Sequence, residues 1–127
     1  MSVLELTKEN FEETISNNAI VLIDFWAPWC GPCRSFAPTF EKVASENTDI
    51  VFAKLNTEDE PELAGHFNIR SIPTLAVFRE QIILFMQPGA LPESALNELV
   101  KGARDVDMNE VRAEIEKAQS AQGDQQA

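Results

Sequence analysis

Residues Ile20-Val21-Leu22-Ile23-Asp24-Phe25-Trp26 are apolar on both alternating faces, and this run narrows the possible folds more than any other. A strand with one wet face alternates apolar and polar side chains. One that is apolar on both faces must lie centrally in a sheet covered on both sides. Ala27-Pro28-Trp29-Cys30-Gly31-Pro32-Cys33 follows directly, and then Phe36, Phe40, Val43 and Ala44 recur at helical spacing, with Pro38 an expected kink. A buried strand running straight into an amphipathic helix is the signature of an α/β sheet.

The rest of the chain continues the alternation. Val3 to Leu6 reads as a short extended start, and Thr7 as the cap of a helix in which Phe11 and Ile15 share a face, ending at Asn17-Asn18. Ile50 to Leu55 reads as a second buried strand, and Glu60 to Phe67 as a short helix with Pro61 in its first turn. Strands Thr74 to Phe78 and Ile82 to Met86 flank a tight turn, and Pro88-Gly89 should break the second. Pro92 opens a helix with Leu96, Leu99, Val100 and Ala103 inward and Gly102 near its end. The expected fold is therefore α/β, a mixed central sheet flanked by helices on both faces.

The 127 residues suit one compact domain, placed here at 1–104. Residues 105–127 form an acidic extension. Asp107 and Glu110 there resemble a capping box, and Met108, Val111, Ile115 and Ala118 make one helical stripe. From Gln119 onward the Gln, Ala, Ser and Gly composition reads as disordered. The 21 acidic against 10 basic residues leave a net charge of −11, which speaks against nucleic acid and anionic lipid as partners. Residues 1–10 carry Glu5, Lys8 and Glu9 and no apolar core of a signal peptide, and Asp24 and Pro28 interrupt the longest apolar stretch. A cytoplasmic chain that does not enter the membrane is expected, and there cysteines three positions apart are catalytic or metal-binding rather than a staple.

At the strand-to-helix junction Cys30 would sit at a helix N-terminus, where unpaired amides and the helix dipole favour a thiolate, the nucleophilic form. Cys33 lies one turn on, within disulfide reach, and Pro32 stiffens the first turn where its missing N–H costs little. A zinc site needs about four ligands, against two cysteines and a distant His66, and haem attachment needs a His where Arg34 stands. Redox exchange without metal is the expectation.

The segment from Asp24 to Arg34 resembles the active-site segment of the thioredoxin family. Ala53-Lys54-Leu55-Asn56, Ile69-Arg70-Ser71-Ile72-Pro73-Thr74 and Pro88-Gly89-Ala90 match that family's later segments in order and spacing, over roughly residues 3–104. The resemblance implies a thioredoxin fold and a protein-disulfide reductase. Cys30 would attack the substrate disulfide and Cys33 resolve the mixed disulfide. Asp24 would be the buried carboxylate that moves the proton of Cys33, with Lys54 close by. An Asp in an apolar strand is by itself more often an edge or bulge residue, but the cysteines six positions on favour the catalytic reading. Buried without a partner, it should have a raised pKa. Ile72-Pro73 would be the family's cis-proline, its backbone pairing with an extended substrate segment. Trp29 is expected to pack under the thiols or simply fill the core, and Gly31, Pro32 and Gly89 complete the expected substrate surface. The implied partners are protein disulfides and an NADPH-dependent flavoprotein thioredoxin reductase, with no cofactor on the chain itself and a monomeric state.

Arg79-Glu80-Gln81 departs from the family, many of whose members have a glycine in this turn, and Ile82 to Met86 is unusually apolar for an edge. That strand and the tail stripe support an alternative, a binding or chaperone-like module. Such modules often lose one cysteine, and this chain keeps both.

Overall fold

Strand β2 (Ile20–Trp26) is buried at every position from Val21 to Phe25, as a run apolar on both faces requires. The computed structural model describes residues 2–126, with side chains to residue 121. Around β2 the remaining elements are β1 (Val3–Glu5), α1 (Phe11–Asn17), α2 (Gly31–Ser45), β3 (Val51–Asn56), α3 (Pro61–His66), β4 (Thr74–Arg79), β5 (Ile82–Pro88), α4 (Glu93–Asp105) and α5 (Met108–Gln126). The sheet order is β1-β3-β2-β4-β5. β1 and β2 run parallel to β3, whereas β4 is antiparallel to both β2 and β5. The sheet is mixed, as expected.

Because successive strand residues point to opposite faces, the core divides in two. On one face Leu22, Phe52, Leu75 and Val77 pack with Phe36, Phe40 and Val43 of α2 and Leu96 and Val100 of α4. On the other, Val21, Ile23, Phe25, Ala53, Leu55 and Ala76 pack with Ile15 of α1, and Leu63 and Phe67 lie against them. Asp24 and Trp26 share the parity of Leu22, and Lys54 that of Phe52. All three therefore point to the α2 side.

Two local expectations are corrected. Thr7 does not cap α1; Asn10 stands at its start, and the Asn10 Oδ1 accepts the Thr7 backbone N–H at 2.7 Å, closing the turn that precedes the helix. Both are good capping residues, and the chain leaving β1 uses the asparagine to tie this turn. Pro88 does not break β5 but ends it, paired with Thr74. A proline is tolerated there because an edge strand has one unpaired side. The reversal comes at Gly89, whose φ of +109° suits glycine. The β4–β5 turn places Glu80 and Gln81 at φ of +51° and +70° without glycine. These are the left-handed angles a two-residue hairpin demands.

The extension starts with a capped turn: Asp107 Oδ1 accepts the N–H groups of Asn109 and Glu110 at 2.9 and 3.3 Å. Of the stripe, Met108 is buried and Val111 half-buried, while Ile115 and Ala118 are exposed. Arg112 pairs with Glu80 of the hairpin turn. Arg79 sends its guanidinium to the end of α4, donating to the carbonyls of Ala103 at 2.6 Å and Arg104 at 3.3 Å, which would otherwise lack partners. α5 is helical past Gln119, where composition predicts disorder; Ala and Gln are themselves good helix formers.

Candidate active site

The C-terminal end of β2 delivers Cys30 to the first position before α2, with the extended backbone of a helix cap. Its Sγ accepts the Cys33 backbone N–H at 3.2 Å, one of the amides that a helix start leaves unpaired. Cys30 and Cys33 are joined as a disulfide with their Cα atoms 5.2 Å apart. Both are buried, in a small apolar cluster with Ala27 against which Trp26 and Ile72 pack. Pro32 occupies the first turn of α2, and Gly31 has open space around it.

The Ile72–Pro73 peptide bond is cis. The Ile72 carbonyl oxygen lies 3.7 Å from Cys30 Sγ, and the Pro73 carbonyl accepts the Gly89 N–H at 2.8 Å. Residues expected from three distant segments, Cys30, Ile72-Pro73 and Gly89, thus meet at one end of the sheet.

Asp24 is buried, and its Oδ1 has no hydrogen-bond partner. Burial pushes its carboxyl up to about 7, against a smaller opposing pull from Lys54. Lys54 is the register partner of Asp24 across the β2–β3 ladder, and its Nζ lies 5.4 Å from the centroid of the Trp26 ring. A cavity of about 90 Å³ is lined by Asp24, Trp26, Cys33, Arg34, Ala37 and Lys54. It connects the carboxylate with the second cysteine and exceeds the space one water needs.

One expectation about the site is corrected. Trp29 does not pack under the thiols; it is 66 % exposed on the loop between β2 and α2, its indole donating to Glu58. Trp26 occupies the apolar place instead, because strand parity carries its side chain to the α2 face. Neither Trp26 nor Glu58 was expected at the site. Trp26 could have been found from its two-residue spacing to Asp24. Glu58, 29 residues from its partner, leaves no local signal. Among the described residues there is no cluster of three or more His, Cys, Asp or Glu able to hold a metal, and no helix is long and apolar enough to cross a membrane.

Known proteins resemble this chain in sequence and fold. The thioredoxin family model matches residues 2–102. The putative thioredoxin 2 of Streptomyces coelicolor is 55 % identical over 122 residues, covering 96 % of this chain and 91 % of that protein. The thioredoxin of Pyropia yezoensis is 46 % identical over 98 residues, covering 76 % and 92 % respectively. Among solved structures, a mutant thioredoxin from Halobacterium salinarum superposes with a TM-score of 0.75 at 31 % identity, over 82 % of this chain and 92 % of that one. Plasmodium falciparum thioredoxin gives 0.72 at 35 % identity, over 78 % and 97 %. With the paired cysteines, the cis-proline and the buried aspartate already in place, the match over most of its length makes this chain a member of the thioredoxin family, a thiol–disulfide oxidoreductase acting on protein disulfides.

Proposed function

We propose that Cys30 is the attacking thiol, Cys33 the resolving thiol and Asp24 the group that exchanges the proton of Cys33. The Cys30 thiolate attacks one sulfur of a substrate disulfide; a Cys30–substrate disulfide forms and the other substrate sulfur leaves as a thiolate. Cys33, giving up its proton, then attacks the Cys30 sulfur, and the second substrate thiolate departs. The substrate gains two electrons and the enzyme ends as the Cys30–Cys33 disulfide.

The observation that carries this reading is the Cys33 N–H on Cys30 Sγ at the start of α2. A donor aimed at that sulfur stabilises its anionic form selectively. Asp24 suits its role because a carboxyl titrating near 7 can give and take a proton at neutral pH. The shared cavity offers a water path between the two groups, and Lys54 opposes the charge when Asp24 ionises. The backbone of Ile72 and Pro73, with Gly31, Pro32 and Gly89, forms the ledge on which an extended substrate segment lies. Trp29 borders it.

The reducing equivalents come back through a thioredoxin reductase, for which we propose the NADPH-dependent flavoprotein type, acting on a cytoplasmic, monomeric chain. Residues 1–104 form the catalytic domain and 105–127 an accessory extension. Reduction of insulin disulfides with dithiothreitol tests the assignment: Cys30→Ser should abolish it, and Cys33→Ser should accumulate a trapped mixed disulfide. Turnover by the Cys30→Ser variant would refute the assignment.

A further inference from the structure

β5 is an edge of the sheet, and from Ile82 to Gln87 that edge carries no charge, glycine or proline. Charges and prolines usually blunt such an edge, whose unpaired N–H and C=O groups otherwise offer a template to another chain. The one irregularity in the β4–β5 ladder is a bulge. Val77 pairs with Phe85 and Phe78 with Ile83, so Leu84 is the extra residue. Strict alternation would send Leu84 and Phe85 to opposite faces. The bulge re-aims them, and both line one groove, of about 310 Å³, between β5 and α4. Leu99, Gly102 and Val106 line its helix side. Gly102 lies inside α4, where glycine is a poor helix former. Its φ is not left-handed, and a Cβ there would meet nothing within 4 Å. Neither backbone nor packing demands glycine; its effect is to leave the groove floor bare. Glu98 is the one charged residue lining the groove, exposed and without an ion-pair partner among the described residues.

We propose that this groove binds an extended segment of another polypeptide, apolar at alternate positions and carrying a lysine or arginine within reach of Glu98. Charge selects this occupant. A second copy pairing through β5 would bring a strand with no cation to Glu98 and would join two chains each of net charge −11. A basic segment is attracted both to Glu98 and to the chain as a whole. Lying along β5, the segment pairs its backbone with the free edge and turns every second side chain towards α4. An apolar side chain fills the space over Gly102, and a basic one meets the carboxylate. None of the groove residues belongs to the active site, so a partner held there leaves Cys30 free for disulfide exchange.

The test titrates short, cysteine-free, fluorescently labelled peptides with the full chain and follows anisotropy. A peptide alternating leucine and lysine should bind saturably. One alternating serine and lysine, of equal charge, should bind at least about tenfold more weakly, the loss expected for one buried leucine side chain. One alternating leucine and glutamate should not bind. Gly102→Leu, which fills the groove from the helix side, should weaken the leucine–lysine peptide at least about tenfold while unfolding cooperatively in urea. Glu98→Gln should weaken it about two- to fivefold, the range of one exposed ion pair. The proposal is overturned if the leucine–lysine peptide does not bind, if serine replaces leucine without loss, if the leucine–glutamate peptide binds as well, or if a folded Gly102→Leu chain binds undiminished. Sedimentation of the full chain should show a monomer; a dimer that Gly102→Leu abolishes would give the groove to a second copy and overturn the choice of partner. The peptide comparisons use the unsubstituted chain, so they decide the matter even if Gly102→Leu does not fold.

Discussion

Replacing Asp24 by Asn should remove one pH-dependent penalty from the stability of the fold. The carboxyl has an ordinary value of 3.8 and rises to about 7 in the folded protein because burial penalises its charged form. Below pH 3.8 it is protonated in both states and adds no penalty. Between 3.8 and about 7 the unfolded chain has released a proton that the folded one retains, so stability falls as pH rises. Above about 7 the folded state ionises too and the loss levels off. Three pH units at about 1.4 kcal/mol each give about 4 kcal/mol of destabilisation fully expressed at pH 8.

The assay is urea unfolding of wild type and Asp24→Asn, both with the Cys30–Cys33 disulfide intact, from pH 4.5 to 8.5. Other groups also titrate; Asp49, for example, is held at about 2 by Arg104. They are common to both proteins and cancel in the difference. The advantage of the Asn variant should grow by more than 2 kcal/mol between pH 4.5 and 7.5 and then flatten. Two curves that stay parallel within about 0.5 kcal/mol would refute the claim that Asp24 is buried without compensation, and with it the basis for its proton transfer.

Two further outcomes concern the thiols and the tail. In the reduced protein Cys30 should react with iodoacetamide much faster than Cys33, since the helix start favours its thiolate; equal rates at pH 7, read by peptide mapping, would reject this. Truncation after Arg104 should leave insulin reduction within about twofold, yet lower urea stability by about 2 kcal/mol through loss of the buried Met108. A tenfold loss of turnover would instead tie the extension to the active site.

What could be read from the sequence, and what could not, divides along a physical line. Strand parity depends only on the chain's own period of two. It brings Asp24 and Trp26 to the side where α2 carries Cys33, and the β2–β3 register sets Lys54 opposite Asp24. The α/β fold and the cysteine pair at the helix start follow from such local rules, whereas the buried carboxylate, Lys54 beside it and the cis-proline came with the resemblance. Partner choice by long polar side chains has no such period. Arg79 finds the end of α4, 24 residues away, and Glu58 finds Trp29, 29 residues away, only after the sheet has folded. Trp29 shows why the distinction matters. Two tryptophans flank Ala27-Pro28, and hydrophobicity ranks them equally as core. Parity decides between them: Trp26 belongs to the strand and is drawn inward, whereas Trp29 lies beyond it, free to be fixed outward by an acid. The turn that carries Trp29 outward leads directly into Cys30, whose side chain stays buried. Beside the thiols the strand therefore supplies the covered side chains, Asp24 and Trp26, and the loop the exposed one, Trp29.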